Sequence, residues 1–330
     1  MDNYKNGGIS GLTNFGNTCF MNSALQCFSH TYDLRKFFLT DNYKTFLNDN
    51  EYIELSTQYY RLLNGLWENN CTVTPISFFK TVKTLAIKNN VNFTSNIQND
   101  IQEFLIFFMD MMHESLKNKL ILPFHNSKTI TKLEKESIKT WTNFFDNNYS
   151  VIIELFYGQI LTKIKDFDDN VLTTKFDPIG IFSLPLPSND NLTIIDCFKE
   201  FIKEEILEGD NMWKNDKTNE YMKVKKSIEL WKMPEYLICS FNRFNNNQQK
   251  IDKFINYPLI LDLSEIYNSD NCSYELYGIC NHIGETMGGH YYSMNKHNNI
   301  WYTFNDSSIK KTKNTDLINK NAYCLFYKKC

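Results

Sequence analysis

Three short stretches of this chain hold side-chain types that can do nucleophilic chemistry together. The first is GNTCFMNSALQCF, residues 16–28, with thiols at Cys19 and Cys27. Gly16, Asn17 and Thr18 are turn and N-cap types. Phe20, Ala24 and Phe28 then recur every fourth residue, shadowed by Met21 and Leu25, which is helical spacing with a buried face. The pattern predicts that Cys19 lies in the first turn of a helix. There the unpaired N–H groups and the helix dipole stabilise an anion. A thiolate is an anion, and it is the reactive form of cysteine. Cys27, inside the helix, reads as a small buried hydrophobe. For Cys19 this stretch alone leaves a buried core thiol open as well.

A nucleophilic thiol needs a base and a group that orients the base. Of six histidines, His30, His113, His125, His282 and His297 read as structural or surface residues. His290 differs. It stands in MGGHYYSM, residues 287–294, with two glycines directly before a predicted strand. Glycines there permit unusual backbone angles and close approach of a ligand. The third stretch is WYTFNDSS, residues 301–308. Two antiparallel strands joined by an Asn/Lys loop at 295–299 would return Asn305 and Asp306 to the side of His290. An Asn or Asp there can accept from one ring nitrogen and fix which nitrogen faces the thiol.

The elements that must hold these groups fall into two halves. Residues 1 to about 145 read mainly as helices. NIQNDIQEFLIFFMDMMHESL carries apolar residues at 101, 104, 105, 108, 109, 112 and 116, an amphipathic helix. After about 150 come short segments rich in β-branched and aromatic residues: VIIELFYGQI, EYLICSF, YELYGIC, HYYSM, IWYTF and AYCLFYK. Helices first and strands later predict an α+β fold, a helical lobe on a sheet-rich lobe.

The formal net charge of -3 implies no strongly basic face, which argues against nucleic acid as the partner. Nine cysteines, an odd number without CxxC spacing, follow a polar start. They read as free thiols of an intracellular protein, cytoplasmic or nuclear, without a signal peptide. No apolar run is long enough to span a bilayer, so no membrane partner is expected.

GLTNFGNTCFMNSALQ resembles the cysteine box of the ubiquitin-specific protease family. GGHYYSM, WYTFNDSSI and AYCLFYKK resemble its histidine box. QNDIQEFL, MPEYLICSFNRF and INYPLILDLSEI, lying between, are similar to further segments of the family, in the family's order. The resemblance implies a papain-like cysteine protease with thumb, palm and fingers in one catalytic domain, residues 1–330. The thumb would span 1–145 and palm with fingers 146–330, the fingers roughly at 155–180 and 207–242. It implies a thiol-dependent deubiquitinase that hydrolyses the isopeptide bond between the C-terminal glycine of ubiquitin and a lysine. Ubiquitin and ubiquitinated proteins would be its partners, and the enzyme a monomer. Two rivals stay open: a protease for another ubiquitin-like modifier, and a catalytically weak ubiquitin-binding module.

Matched residue by residue, the resemblance makes Cys19 the nucleophile, His290 the general base and Asn305 the third member. Asp306 would be a neighbouring polar support. Asn14 would donate to the oxyanion with the backbone N–H of Cys19. Asp100 and Glu103, three apart, are read as one acidic helix face for arginines of the ubiquitin tail. Gln98 and Tyr291 match positions that line the tail channel. Many relatives carry two CxxC pairs that bind zinc in the fingers. Here those positions fall near Ile164 and Phe167 and near Asn215 and Thr218, so a structural zinc has no ligands, and no cofactor is expected.

Overall fold

The computed structural model describes residues 4, 7–47, 50–93, 99–119, 130–146, 148–216, 218–245, 247, 249–267, 272–285 and 288–330. Gln98 and His125 lie outside them.

Helices dominate the first half: α1 (Cys19–His30), α2 (Tyr32–Leu39), α3 (Ile53–Glu68), α4 (Ile76–Lys88), α5 (Ile101–Leu116), α6 (Lys132–Phe144) and α7 (Val151–Phe156). VIIELFYGQI was expected to be a strand, and its first six residues are instead α7. The Ser150 hydroxyl accepts from the Ile153 N–H and caps the turn. Ile152, Ile153, Leu155 and Phe156 are then all buried, so tertiary burial overrides β propensity. The strand begins at Gly158.

Among the described residues the second half builds two main sheets, with two-stranded pairs beside them. The larger has eight strands. Its path runs from an edge at Ser308–Lys311 through Ile300–Asn305, His290–His297, Ser273–Ile283, Ala322–Lys329 and Tyr236–Phe241 to Phe182–Leu184. Neighbours are antiparallel except the last pair, and Ile260–Asp262 adds to Ser273–Ile283. The smaller sheet orders Val171–Ile179, Gly158–Lys165, Val224–Lys232 and Glu205–Leu207. The span 207–242, expected to be fingers throughout, therefore divides, because Tyr236–Phe241 pairs into the larger sheet.

Side chains alternate across the larger sheet. Along Ala322–Lys329, Tyr323, Cys324 and Phe326 join the core shared with the helices, while Ala322, Leu325 and Tyr327 join a second core, the alternation being broken at Tyr323 and Cys324, where the register with Ser273–Ile283 shifts. Helix α8 (Ile194–Phe201) covers that second core through Ile194, Cys197 and Phe198. Helix α1 was expected to bury one face. Every one of its twelve residues is buried, because the sheet lies on one side of it and α5 on another. Phe28 meets Phe108 of α5, Phe156 of α7 and Phe326 of the sheet, with ring centroids 4.9, 5.5 and 5.9 Å away.

Candidate active site

Cys19 is the first residue of α1. Gly16 and Asn17 precede it with φ of 88° and 54° and turn the chain into the helix. Thr18 is the N-cap, yet its hydroxyl caps nothing. It accepts from the Phe15 N–H (3.0 Å) and donates to Asn14 Oδ1 (3.0 Å). The first-turn N–H groups of α1 lack intrahelical acceptors, so the helix start presents donors and the positive dipole end beside the thiol. Cys19 is 2% exposed.

The hairpin expected around 295–299 has a two-residue turn. Asn298 and Asn299, with φ of 47° and 62°, join His290–His297 to Ile300–Asn305, the positive-φ pair that matches strand twist. This returns Asn305 to the mouth of the His290 strand. Asn305 Oδ1 lies 2.6 Å from His290 Nε2, which leaves Nδ1 for the thiol. The hydrogen bond with Cys19 is the largest influence on His290 and pushes its pKa up to about 9. Burial opposes this, while the bond to Asn305 and the charges of Cys19 and Asp306 add to it. The imidazole therefore holds its proton at neutral pH.

Asp306 follows in the left-handed region, φ 51°, and joins both sides of the nucleophile. Its Oδ2 accepts from Asn14 Nδ2 (2.9 Å), and its Oδ1 from Asn22 Nδ2 (2.8 Å). Its backbone carbonyl accepts the Leu12 N–H (2.9 Å). Gly11 must be glycine here, because a Cβ would sit 2.7 Å from the Ser307 backbone. Asn14 Oδ1 takes the N–H groups of Gly16 (2.9 Å) and Thr18 (3.2 Å). Its amide nitrogen carries two hydrogens. One of them points at Asp306.

Asp100 stands just before the helix that carries Glu103. Helix α5 begins at Ile101, so Asp100 is its N-cap and accepts from the N–H groups of Gln102 (2.7 Å) and Glu103 (3.2 Å). Its other oxygen takes the Tyr323 hydroxyl (2.5 Å). Glu103 is exposed, and its pKa is raised by burial and then by the charge of Asp100. Tyr291 is 3% exposed and packs tilted against His282, ring centroids 4.5 Å apart, and edge-on to Tyr323 at 5.9 Å. Gly289 lies against the same His282 ring, where a Cβ would collide. Gln102 ties α5 to the sheet through Ser183 Oγ (2.5 Å) and Ser240 Oγ (2.8 Å).

Asn22, Gln102 and Tyr323 were missed by sequence reasoning. Asn22 had a signal, since it stands one helical turn after Cys19 on the same face. The other two had none, because their partners are far away in the chain. Cys27 lies 3.5 Å from Cys280, thiol to thiol, in the core. Among the described residues no group of three or more His, Cys, Asp and Glu is placed to hold a metal. No helix among them is long and apolar enough to cross a membrane.

The family description "Ubiquitin carboxyl-terminal hydrolase" matches residues 10–327. Human ubiquitin carboxyl-terminal hydrolase 2 is 32% identical over 336 residues, covering 97% of this chain and 55% of that protein. Ubiquitin carboxyl-terminal hydrolase 4 of Saccharomyces cerevisiae is 31% identical over 362 residues, covering 96% and 39%. The chain thus spans about half or less of the length of these relatives. Among solved structures, the SAGA Ubp8/Sgf11/Sus1/Sgf73 DUB module bound to ubiquitin aldehyde superposes with a TM-score of 0.75 at 25% identity, over 99% of this chain and 70% of that one.

Proposed function

Because this chain belongs to the ubiquitin carboxyl-terminal hydrolase family, we propose that it is a thiol-dependent deubiquitinase. It hydrolyses the isopeptide bond between the terminal glycine of ubiquitin and a lysine of a conjugate or chain. The observation that carries the reading is the placement of His290 beside Cys19 at the start of α1, with Asn305 2.6 Å from its Nε2; the thiol pushes the imidazole pKa up to about 9. A protonated imidazole beside a thiol at a helix start favours the thiolate.

The Cys19 thiolate attacks the glycine carbonyl carbon. The oxyanion forms beside the amide N–H of Asn14 and the backbone N–H of Cys19. The intermediate collapses as His290 gives its proton to the departing lysine amine, leaving a thioester. His290 then takes a proton from water, and the hydroxide releases ubiquitin. Asn305 carries no charge and acts by holding Nε2, so that Nδ1 faces the sulfur. Asp306 supplies the negative charge that Asn305 lacks. Glu103, exposed at the start of α5, and the cap Asp100 attract the arginines of the ubiquitin tail, with Tyr291 beside them; the match to the family assigns Gln98 to the same task.

In this reading residues 1–145 are the thumb, and palm and fingers follow, the fingers being the four-stranded sheet. The enzyme acts as a monomer inside the cell, in cytoplasm or nucleus. Its free cysteines support a reducing compartment.

A fluorogenic ubiquitin C-terminal amide tests the activity. Wild type releases the fluorophore and Cys19→Ala does not. A ubiquitin probe with an electrophilic C-terminus labels Cys19 and spares Cys27. Folded wild type that neither turns over the amide nor takes the probe overturns the reading. Faster turnover of another Gly-Gly-terminated modifier moves the assignment to that modifier.

A further inference from the structure

We infer that Asn22 is a positioning residue for the reaction: it holds the Asp306 carboxylate where one anion serves both Asn14 and His290. The inference rests on the deubiquitinase reading, but its geometry does not. Asn22 is 5% exposed and sits one turn after Cys19 in α1. Its Nδ2 donates to Asp306 Oδ1 at 2.8 Å and reaches the Thr13 carbonyl at 3.4 Å. The other Asp306 oxygen takes the Asn14 amide at 2.9 Å.

The carboxylate is thus gripped from both flanks of the nucleophile, by a residue five positions before Cys19 and one three positions after it. Neither grip alone fixes it. With Asn14 as sole partner, the carboxylate can rotate about its own bond and carry the oxyanion donor with it. With Asn22 in place, rotation breaks a buried, charge-assisted hydrogen bond, among the stronger kinds. Asp306 sits on the tight turn between the strands Ile300–Asn305 and Ser308–Lys311, whereas Asn22 sits on α1, whose residues are all buried. The bond therefore transmits the rigidity of the core to the catalytic turn. The same link ties the Asp306 charge, which helps to keep His290 protonated, to the helix that carries the sulfur.

Asn22 touches no reacting atom, so its removal acts through Asp306. Asn22→Ala lowers kcat for the ubiquitin amide by roughly 10–100-fold with KM within about two-fold, as small misplacements of catalytic groups do. The loss is absent in the background of Asp306→Ala, which has no acceptor for Asn22: the double variant is no slower than Asp306→Ala alone. Asn22→Asp keeps the shape and sets a second carboxylate against Asp306. Two carboxylates sharing a site take up one proton as pH falls. The ratio of variant to wild-type kcat therefore climbs from pH 8 to pH 5.5, as an O–H···O⁻ contact replaces the lost N–H···O⁻ one. Losses that add in full, or an Asn22→Asp ratio flat in pH, overturn the inference. Should Asn22→Ala fail to fold, the near-isosteric Asn22→Asp decides. Should wild type lack turnover, the deubiquitinase reading fails by itself. The cycle is then read from the pH dependence of Cys19 alkylation by iodoacetamide, mapped by mass spectrometry, with the same non-additivity expected.

Discussion

Along the seam between α1 and the larger sheet, polar groups are buried and meet one another. Gln26 donates to the Ser10 carbonyl (2.8 Å), Thr31 meets the Tyr277 hydroxyl (2.7 Å), and Asn22 holds Asp306. The four-stranded sheet displays its charges instead. Lys163–Glu229, Lys226–Glu205 and Lys225–Asp169 pair at 2.6, 2.7 and 2.9 Å, each with at least one largely exposed partner. Where relatives place their first CxxC pair, Phe167 stands 48% exposed with the ammonium groups of Lys223 and Lys225 over its ring at 5.4 and 5.9 Å. The two regions show what fixes a position. A buried donor left unmatched costs about 1–3 kcal/mol, so the seam has one low-energy arrangement. An exposed ion pair is worth about 0–1 kcal/mol and tolerates many. Catalytic geometry belongs on the first kind of structure, and a surface that grips a partner can be built on the second.

Substitutions should separate the regions most sharply at the nucleophile. Cys19→Ala removes at least about 10⁴-fold of turnover, because the members of such a constellation act as a unit; a smaller loss would move the chemistry elsewhere. Next comes packing. Phe28→Ala at the seam costs about 3–5 kcal/mol in urea unfolding, while Phe167→Ala, in the turn between two strands of the four-stranded sheet, stays within about 0.5 kcal/mol. Equal costs would erase the contrast drawn here.

Acid attacks the seam in the same direction. Burial lowers the pKa of His30 to about 3 and of His282 to about 4. Both lie below the unfolded value near 6.5, so the unfolded chain binds protons first. Their contribution is complete above about pH 7 and drains away as pH falls through 6.5 toward 4. Denaturant titrations at pH 7 and pH 5 should differ by about 1–2 kcal/mol for each histidine. His30→Gln should narrow the difference, and an unchanged difference would acquit His30.

Smaller effects sharpen the α5 end of the cleft. Asp100→Lys loses a cap worth about 0.5–2 kcal/mol along with the Tyr323 bond, so its melting temperature falls. Glu103→Lys leaves melting unchanged and raises KM for ubiquitin substrates; an unchanged KM removes Glu103 from tail recognition. Smallest of all, Lys226→Met shifts stability by no more than about 0.5 kcal/mol. A strong chelator leaves the melting temperature where it was, and a drop would reveal a metal in the four-stranded sheet.

The chemistry was more legible in the sequence than the structure that positions it. Cys19 and His290 stand out by type and by the turn residues or glycines before each, Asn305 by its place at the end of an aromatic strand, and all three by an order along the chain that matches a family. The hairpin returning Asn305 to His290 follows from strand lengths alone. The α7 segment did not follow, because β-branched residues read as strand until a capping serine and a buried surround decide otherwise. Asp100 was placed on a helix face because spacing alone does not tell a cap from the first helical turn. Burial of α1 on every side was hidden too, since Asn22, Gln26 and His30 look like a solvated face until their partners, up to 284 residues away, are known. Local periodicity reports one neighbour shell, and the seam is assembled from the whole chain.

The titration of the His290 ring is the most direct test of the Cys19–His290 pair. Imidazole NMR on wild type and Cys19→Ala reads it without substrate. The account predicts a pKa of about 9 in wild type and a clear fall in Cys19→Ala, where the largest upward influence is gone and burial still pulls down. A wild-type value in the ordinary histidine range, or one that does not move when the sulfur is removed, would contradict it.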